Sequence, residues 1–169
     1  SALKRWTIGL LNTAALRHID YYVTVSELFK TMLISRGFDP QKCMILYNGL
    51  DFSETAPPFD RAEWLHSQGV PYEEGDVVLG ILARLNPVKD IPPLLRAFAQ
   101  ALEGNPRLRL LIGGDGEDTE KLKSLARQLG IDGRVSFLGW VTDVPRFFGS
   151  CDIDVLCSKL KSKFGVEVE

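Results

Sequence analysis

From Val77 onward two kinds of apolar pattern alternate, and this alternation constrains the fold more than any other feature of the chain. "VVLGILARL" (77–85), "RLRLLIGG" (107–114), "RVSFLGW" (134–140) and "DIDVLCS" (152–158) are short apolar runs of strand length. Between them lie "IPPLLRAFAQALEG" (91–104), "DTEKLKSLARQLG" (118–130) and the shorter "DVPRFFG" (143–149). In the first of these, Leu94, Leu95, Phe98 and Leu102 repeat at helical spacing, with prolines in the opening turn. In the second, Leu122, Leu125, Ala126 and Leu129 do the same. Strands joined by helical crossovers must run parallel and be covered on both faces. The expected fold is therefore α/β, a doubly wound, Rossmann-like parallel sheet. Ligands in such sheets sit beyond the carboxyl ends of the strands.

The first part of the chain repeats the theme less regularly. Leu3, Trp6, Leu10 and Leu11 suggest a helical face, and "YYVTV" (21–25) a strand. Ser26 caps a second helix with Leu28, Phe29, Met32 and Leu33 on one side and Gly37 closing it, and "CMILYNG" (43–49) reads as a strand. "LDFSETAPPFD" (50–60), with its two prolines, is the expected linker, followed by a short helix over Arg61 to Ser67.

Composition narrows the function classes. The 169 residues carry a net charge of −2, which supplies no basic face for nucleic acid, so an anionic ligand must be held by local charges. Cys43, Cys151 and Cys157 are odd in number and lack CxxC spacing; neither a zinc cluster nor a disulfide framework is expected, and a reducing, cytoplasmic setting fits. Cys43 and Cys157 are placed in strands, as small apolar residues. No apolar stretch approaches a membrane span. The N-terminal segment is read as a packed helix, although its basic residues and Trp6 leave peripheral membrane contact open.

Three strand ends carry residues suited to chemistry, all expected on one edge of the sheet. Arg84 ends its strand and Lys89 lies just before a helix capped by Asp90; together they offer a planar fork and a point charge to a phosphate chain. Their ordinary reading is as solvated loop residues, with Lys89 pairing Asp90. "GGDGED" (113–118) allows a tight turn and close ligand approach, and its acidic residues lack the spacing of a calcium loop. "FLGW" (137–140) places Gly139 beside an aromatic residue, where a slot for a base could form.

In their order along the chain, "VSE" (25–27), "YNGLD" (47–51), "ARLNPVKD" (83–90), "GGDGED", "VSFLGW" (135–140) and "DIDVLCS" resemble the landmarks of the group 1 glycosyltransferases, the retaining, nucleotide-sugar-dependent enzymes of family 4 with two Rossmann-like domains. The resemblance implies that residues 1–48 are the tail of an N-terminal, acceptor-side domain and 49–169 the nucleotide-sugar-binding domain. It implies that Arg84 and Lys89 grip the donor diphosphate, that Gly114 lies near the nucleotide, and that Leu138 and Gly139 contact the base through their backbone. The implied reaction is transfer of a hexose from a nucleoside diphosphate sugar to a glycan or lipid acceptor in polysaccharide biosynthesis. It uses no cofactor and no metal, at the inner face of a membrane where one is involved.

The chain also departs from the family pattern. After the last strand, Phe164 and Gly165 fit the sugar loop, but Ser162 stands where a glutamate is expected, and Glu169 falls one residue short of a second. The chain is expected to be cut or altered there. The family's catalytic histidine lies in the part of the N-terminal domain not represented, and neither His18 nor His66 matches it. The resulting expectation is a truncated, inactive piece that carries the diphosphate site and pairs with a second copy through apolar surface around Leu10, Phe29 or Val168. The rival reading is a self-sufficient, non-catalytic α/β nucleotide-binding or regulatory module. A phosphorylation-dependent receiver would need an acidic pocket at the end of an early strand, and none is found.

Overall fold

The computed structural model describes residues 19–49 and 58–158. The expected first helix, His18, most of the linker, and Phe164 and Gly165 lie outside those residues. The chain divides into two compact units, Ser1–Glu54 and Thr55–Glu169.

The first unit contains β1 (Tyr22–Thr24), α1 (Glu27–Ser35), a 3-10 turn (Pro40–Lys42) and β2 (Cys43–Ile45). The two strands pair in parallel, Tyr22 opposite Cys43. Ser26 caps α1 as expected: its hydroxyl accepts the Phe29 N–H at 3.3 Å. Gly37 closes it with φ +83°, the left-handed region that only glycine enters cheaply. Tyr22, Phe38 and Cys43 form a small core, the two rings meeting edge to face at 4.9 Å. Leu33 reaches this core, whereas Leu28 and Phe29, on the same side of α1, are 67% and 49% exposed, as the apolar surface expected around Phe29 requires.

The second unit is the doubly wound sheet. It comprises α2 (Arg61–Ser67), β3 (Val77–Leu82), α3 (Ile91–Gly104), β4 (Leu108–Gly113), α4 (Thr119–Gln128), β5 (Val135–Gly139), α5 (Val144–Gly149) and β6 (Ile153–Asp154). The strand order is β5-β4-β3-β6, all parallel. The chain steps outward from β3 to β5, then returns to the far side of β3, so the order switches between β3 and β6.

Side-chain alternation divides the interior into two cores. Leu110 and Ile112 of β4 face Ile81, Leu95, Phe98, Leu122 and Ala126, under α3 and α4. Leu111 faces the other way, onto Trp64, Leu65, Val78 and Phe147, under α2 and α5. All three central β4 residues are fully buried, which is why this strand reads as an unbroken apolar run. In α3, Leu95 and Phe98 are buried whereas Leu94 and Leu102 are only partly covered.

Three expectations about the strand ends are corrected. β3 stops at Leu82, so Arg84 lies two residues beyond the strand; β4 begins at Leu108; and Cys157 lies past the two-residue β6 rather than within it. Asp90 takes the cap position of α3 with φ +48° and makes no side-chain capping hydrogen bond there. Prolines at 92 and 93 compensate, because their fixed φ suits the first helical turn and they present no N–H that needs a cap. No helix among the described residues is long and apolar enough to cross a membrane.

Candidate functional site

The carboxyl edge of the second sheet holds a cleft of about 380 Å³, lined by Leu82, Ala83, Arg84, Gly114, Asp115, Trp140, Val141 and Val144. Three successive strand ends therefore meet there, and the sheet topology explains why. β3, β4 and β5 are adjacent and parallel, so the segments leaving them emerge side by side.

Main-chain bonds continue past the strand ends and fix these segments. The Ala83 N–H donates to the Gly113 carbonyl at 3.0 Å, the Leu85 N–H to the Asp115 carbonyl at 3.0 Å, and the Asp118 N–H to the Leu85 carbonyl at 3.0 Å. The Gly114 N–H donates to the Gly139 carbonyl at 2.6 Å, joining the glycine turn to the end of β5. Gly114 has φ +113°, and a Cβ there would run into the Ala83 carbonyl; a Cβ on Gly116 would meet the Leu85 carbonyl. The two glycines are what allow the turn to lie against the β3 extension.

Arg84 is exposed and, among the described residues, makes no ion pair. Its neighbour Leu85 is buried in the core, so a firm backbone carries a free guanidinium. Lys89 ends the 3-10 turn Pro87–Lys89, outside the lining of this cleft. Its N–H donates to the Asn86 carbonyl at 3.1 Å, and its carbonyl accepts from the Cys157 thiol at 3.1 Å. Burial, with the nearby Asp90 charge, pushes the Cys157 thiol above its usual value, so it serves as a neutral donor.

Of the other sequence candidates, Gly139 meets Gly114 through the bond just given, and its φ is +65°. Leu138 directs its side chain into the core under α5, leaving only its backbone for a ligand. Trp140 is 82% exposed at the cleft, a large flat ring in water. His66 lies on α2, where its Nε2 is 2.8 Å from the Tyr72 carbonyl oxygen.

Sequence reasoning missed Asp115. Its Oδ1 accepts the Gly116 N–H at 2.7 Å and the Thr119 hydroxyl at 2.8 Å. The Thr119 hydroxyl and the Gly116 N–H hold this carboxyl below its usual range. The signal was present as an aspartate four residues before a threonine at a helix start, a local side-chain-to-backbone pattern.

With this geometry in view, comparisons with known proteins carry weight. Residues 63–168 match the family model described as glycosyl transferases group 1. The chain is 28% identical over 124 residues to the lipopolysaccharide 1,6-galactosyltransferase of Escherichia coli K12, covering 72% of this chain and 30% of that protein. It is 27% identical over 146 residues to an Escherichia coli UDP-Gal:alpha-D-GlcNAc-diphosphoundecaprenol alpha-1,3-galactosyltransferase, covering 85% and 35%. The crystal structure of Anabaena HepE in complex with UDP-glucose superposes with a TM-score of 0.69 at 28% identity, over 82% of this chain and 38% of that one. The chain thus spans about a third of the length of these relatives. A family match across most of the chain, on a parallel sheet whose carboxyl edge gathers an arginine and a glycine turn, places this chain among the group 1 glycosyl transferases.

Proposed function

We propose that the whole protein is a retaining glycosyltransferase that moves a hexose from a nucleoside diphosphate sugar to a glycan or lipid acceptor. In this reading residues 1–48 belong to the acceptor-side domain and 49–169 to the donor-binding domain. Arg84 and Lys89 hold the diphosphate, and Gly114, with the backbone of Leu138 and Gly139, receives the nucleotide. Phe164 and Gly165 belong to the sugar loop. The setting is cytoplasmic, with peripheral contact at a membrane that presents a lipid acceptor.

The observation that carries this reading is the unpaired Arg84 guanidinium in the same cleft as the Gly114 turn. When the bond between the anomeric carbon and the diphosphate breaks, negative charge grows on the departing phosphate oxygens. A guanidinium and an ammonium held near that position stabilise the transition state more than the ground state. Solved relatives of the same fold, crystallised with UDP and with UDP-glucose, support a uridine nucleotide as the first probe.

Isothermal titration of the chain with UDP tests the reading. Arg84→Ala and Lys89→Ala are each expected to weaken binding about tenfold, the size of one charge-assisted hydrogen bond. Binding that survives both substitutions unchanged would remove the proposed diphosphate site. Because the chain spans about a third of its relatives, it is expected to bind UDP without transferring sugar.

A further inference from the structure

The ladder that continues past β3 and β4 has a consequence for the charge balance of the cleft. β3 and β4 register Leu82 against Gly113. The bonds from Ala83 to Gly113 and from Leu85 to Asp115 carry that register on, setting Arg84 directly opposite Asp115. Opposite charges placed side by side on adjacent strands attract each other. Both residues line the same cleft.

They do not pair. The Asp115 carboxylate accepts instead from the Gly116 N–H at 2.7 Å and the Thr119 hydroxyl at 2.8 Å, at the start of α4. The Thr119 hydroxyl sits 2.8 Å from the Gly116 carbonyl as well, so the turn closes on itself. Arg84 is left with no ion-pair partner among the described residues.

From this we infer that Thr119 is a positioning residue: it latches the Asp115 carboxylate onto the head of α4 and so keeps Arg84 open for an anion. This rests on the donor-site reading for the identity of that anion, a nucleoside diphosphate, but not for the latch itself. Without the hydroxyl, the carboxylate is free to swing to its cross-strand neighbour, and phosphate must then compete with it.

Two measurements on the chain test the latch and separate it from the donor reading. The first is UDP titration of wild type, Thr119→Val, Thr119→Ser and the double variant Asp115→Asn/Thr119→Val. The valine variant should bind about fivefold more weakly, the size of one exposed ion pair. Serine should bind like wild type, and the double variant should recover, because a neutral amide competes far less than a carboxylate for the guanidinium. Weak binding that Asp115→Asn fails to restore, or a valine variant that binds like wild type, would overturn the latch.

The second measurement needs no nucleotide: carbon-detected NMR titration of the Asp115 carboxyl, with and without Arg84→Ala. Arg84→Ala should leave the Asp115 titration unmoved in wild type and move it upward in the Thr119→Val background. An equal response in both backgrounds refutes the latch. If UDP does not bind wild type at all, the donor reading fails and the NMR comparison alone decides the latch.

Discussion

Gly114 carries the strictest requirement of any single residue in the cleft. Its φ of +113° is strained for any residue with a Cβ, and that Cβ would also meet the Ala83 carbonyl. Gly116 is hemmed in by the Leu85 carbonyl without the unusual φ. Gly114→Ala is therefore expected to cost about 2–3 kcal/mol in urea denaturation, from strain and displacement together. Gly116→Ala should cost less, because only the contact must be relieved. Equal stability of both variants and wild type would mean that the turn does not lie against the β3 extension. The glycines were visible in the sequence as a flexible stretch. That each faces a specific carbonyl was not, because close approach depends on which strand lies alongside.

At the scale of elements, charged pairs tie the sheet together away from the cleft. Asp76, just before β3, accepts from the Arg109 Nε of β4 at 2.7 Å, deep inside, and lies 3.5 Å from Arg134, just before β5. Burial alone would raise the Asp76 carboxyl, but the Arg109 and Glu73 N–H bonds and the arginine charges outweigh it and hold it low. A carboxyl lowered by folding stabilises the native state above its unfolded value, near 4, and loses that contribution as pH falls through the lower, folded value. Asp76→Asn should cost about 2 kcal/mol or more at pH 7, because it leaves a buried guanidinium without its counter-charge. It should also flatten the decline of the urea midpoint below about pH 4. An acid limb identical to wild type would show that Asp76 does not contribute to it. A second pair, Arg61 to Asp152 at 2.6 Å, joins α2 to the residue before β6 and is about a third exposed. These partners are 33 and 91 residues apart in sequence, so no local pattern announced them.

At the scale of the whole molecule, the two units differ sharply in how well they cover themselves. Among the described residues, the second holds two large core clusters, whereas the first leaves Val23, Val25, Phe29, Met44 and Leu46 exposed around one small core. An apolar surface of this kind drives association when nothing else covers it. Sedimentation of the chain alone is expected to show reversible self-association, and Phe29→Lys should shift it toward monomer. A monomer at every concentration would sink that expectation.

The sequence by itself determined the fold class and the strand-helix order. Burial on both faces of a parallel sheet forces continuous apolar runs and helical stripes, and both survive as local patterns from Val77 to Asp154. It also put Arg84 and Gly114 on one edge of the sheet, although Arg84 lies two residues past the end of β3. Only the tertiary structure decided that Arg84 faces Asp115, that Leu138 turns inward while Trp140 stands in water, and that Lys89 lies outside the Arg84 cleft. Those outcomes depend on strand register, on where each strand stops, and on which neighbour claims a shared hydrogen bond. All three are set between segments distant in sequence.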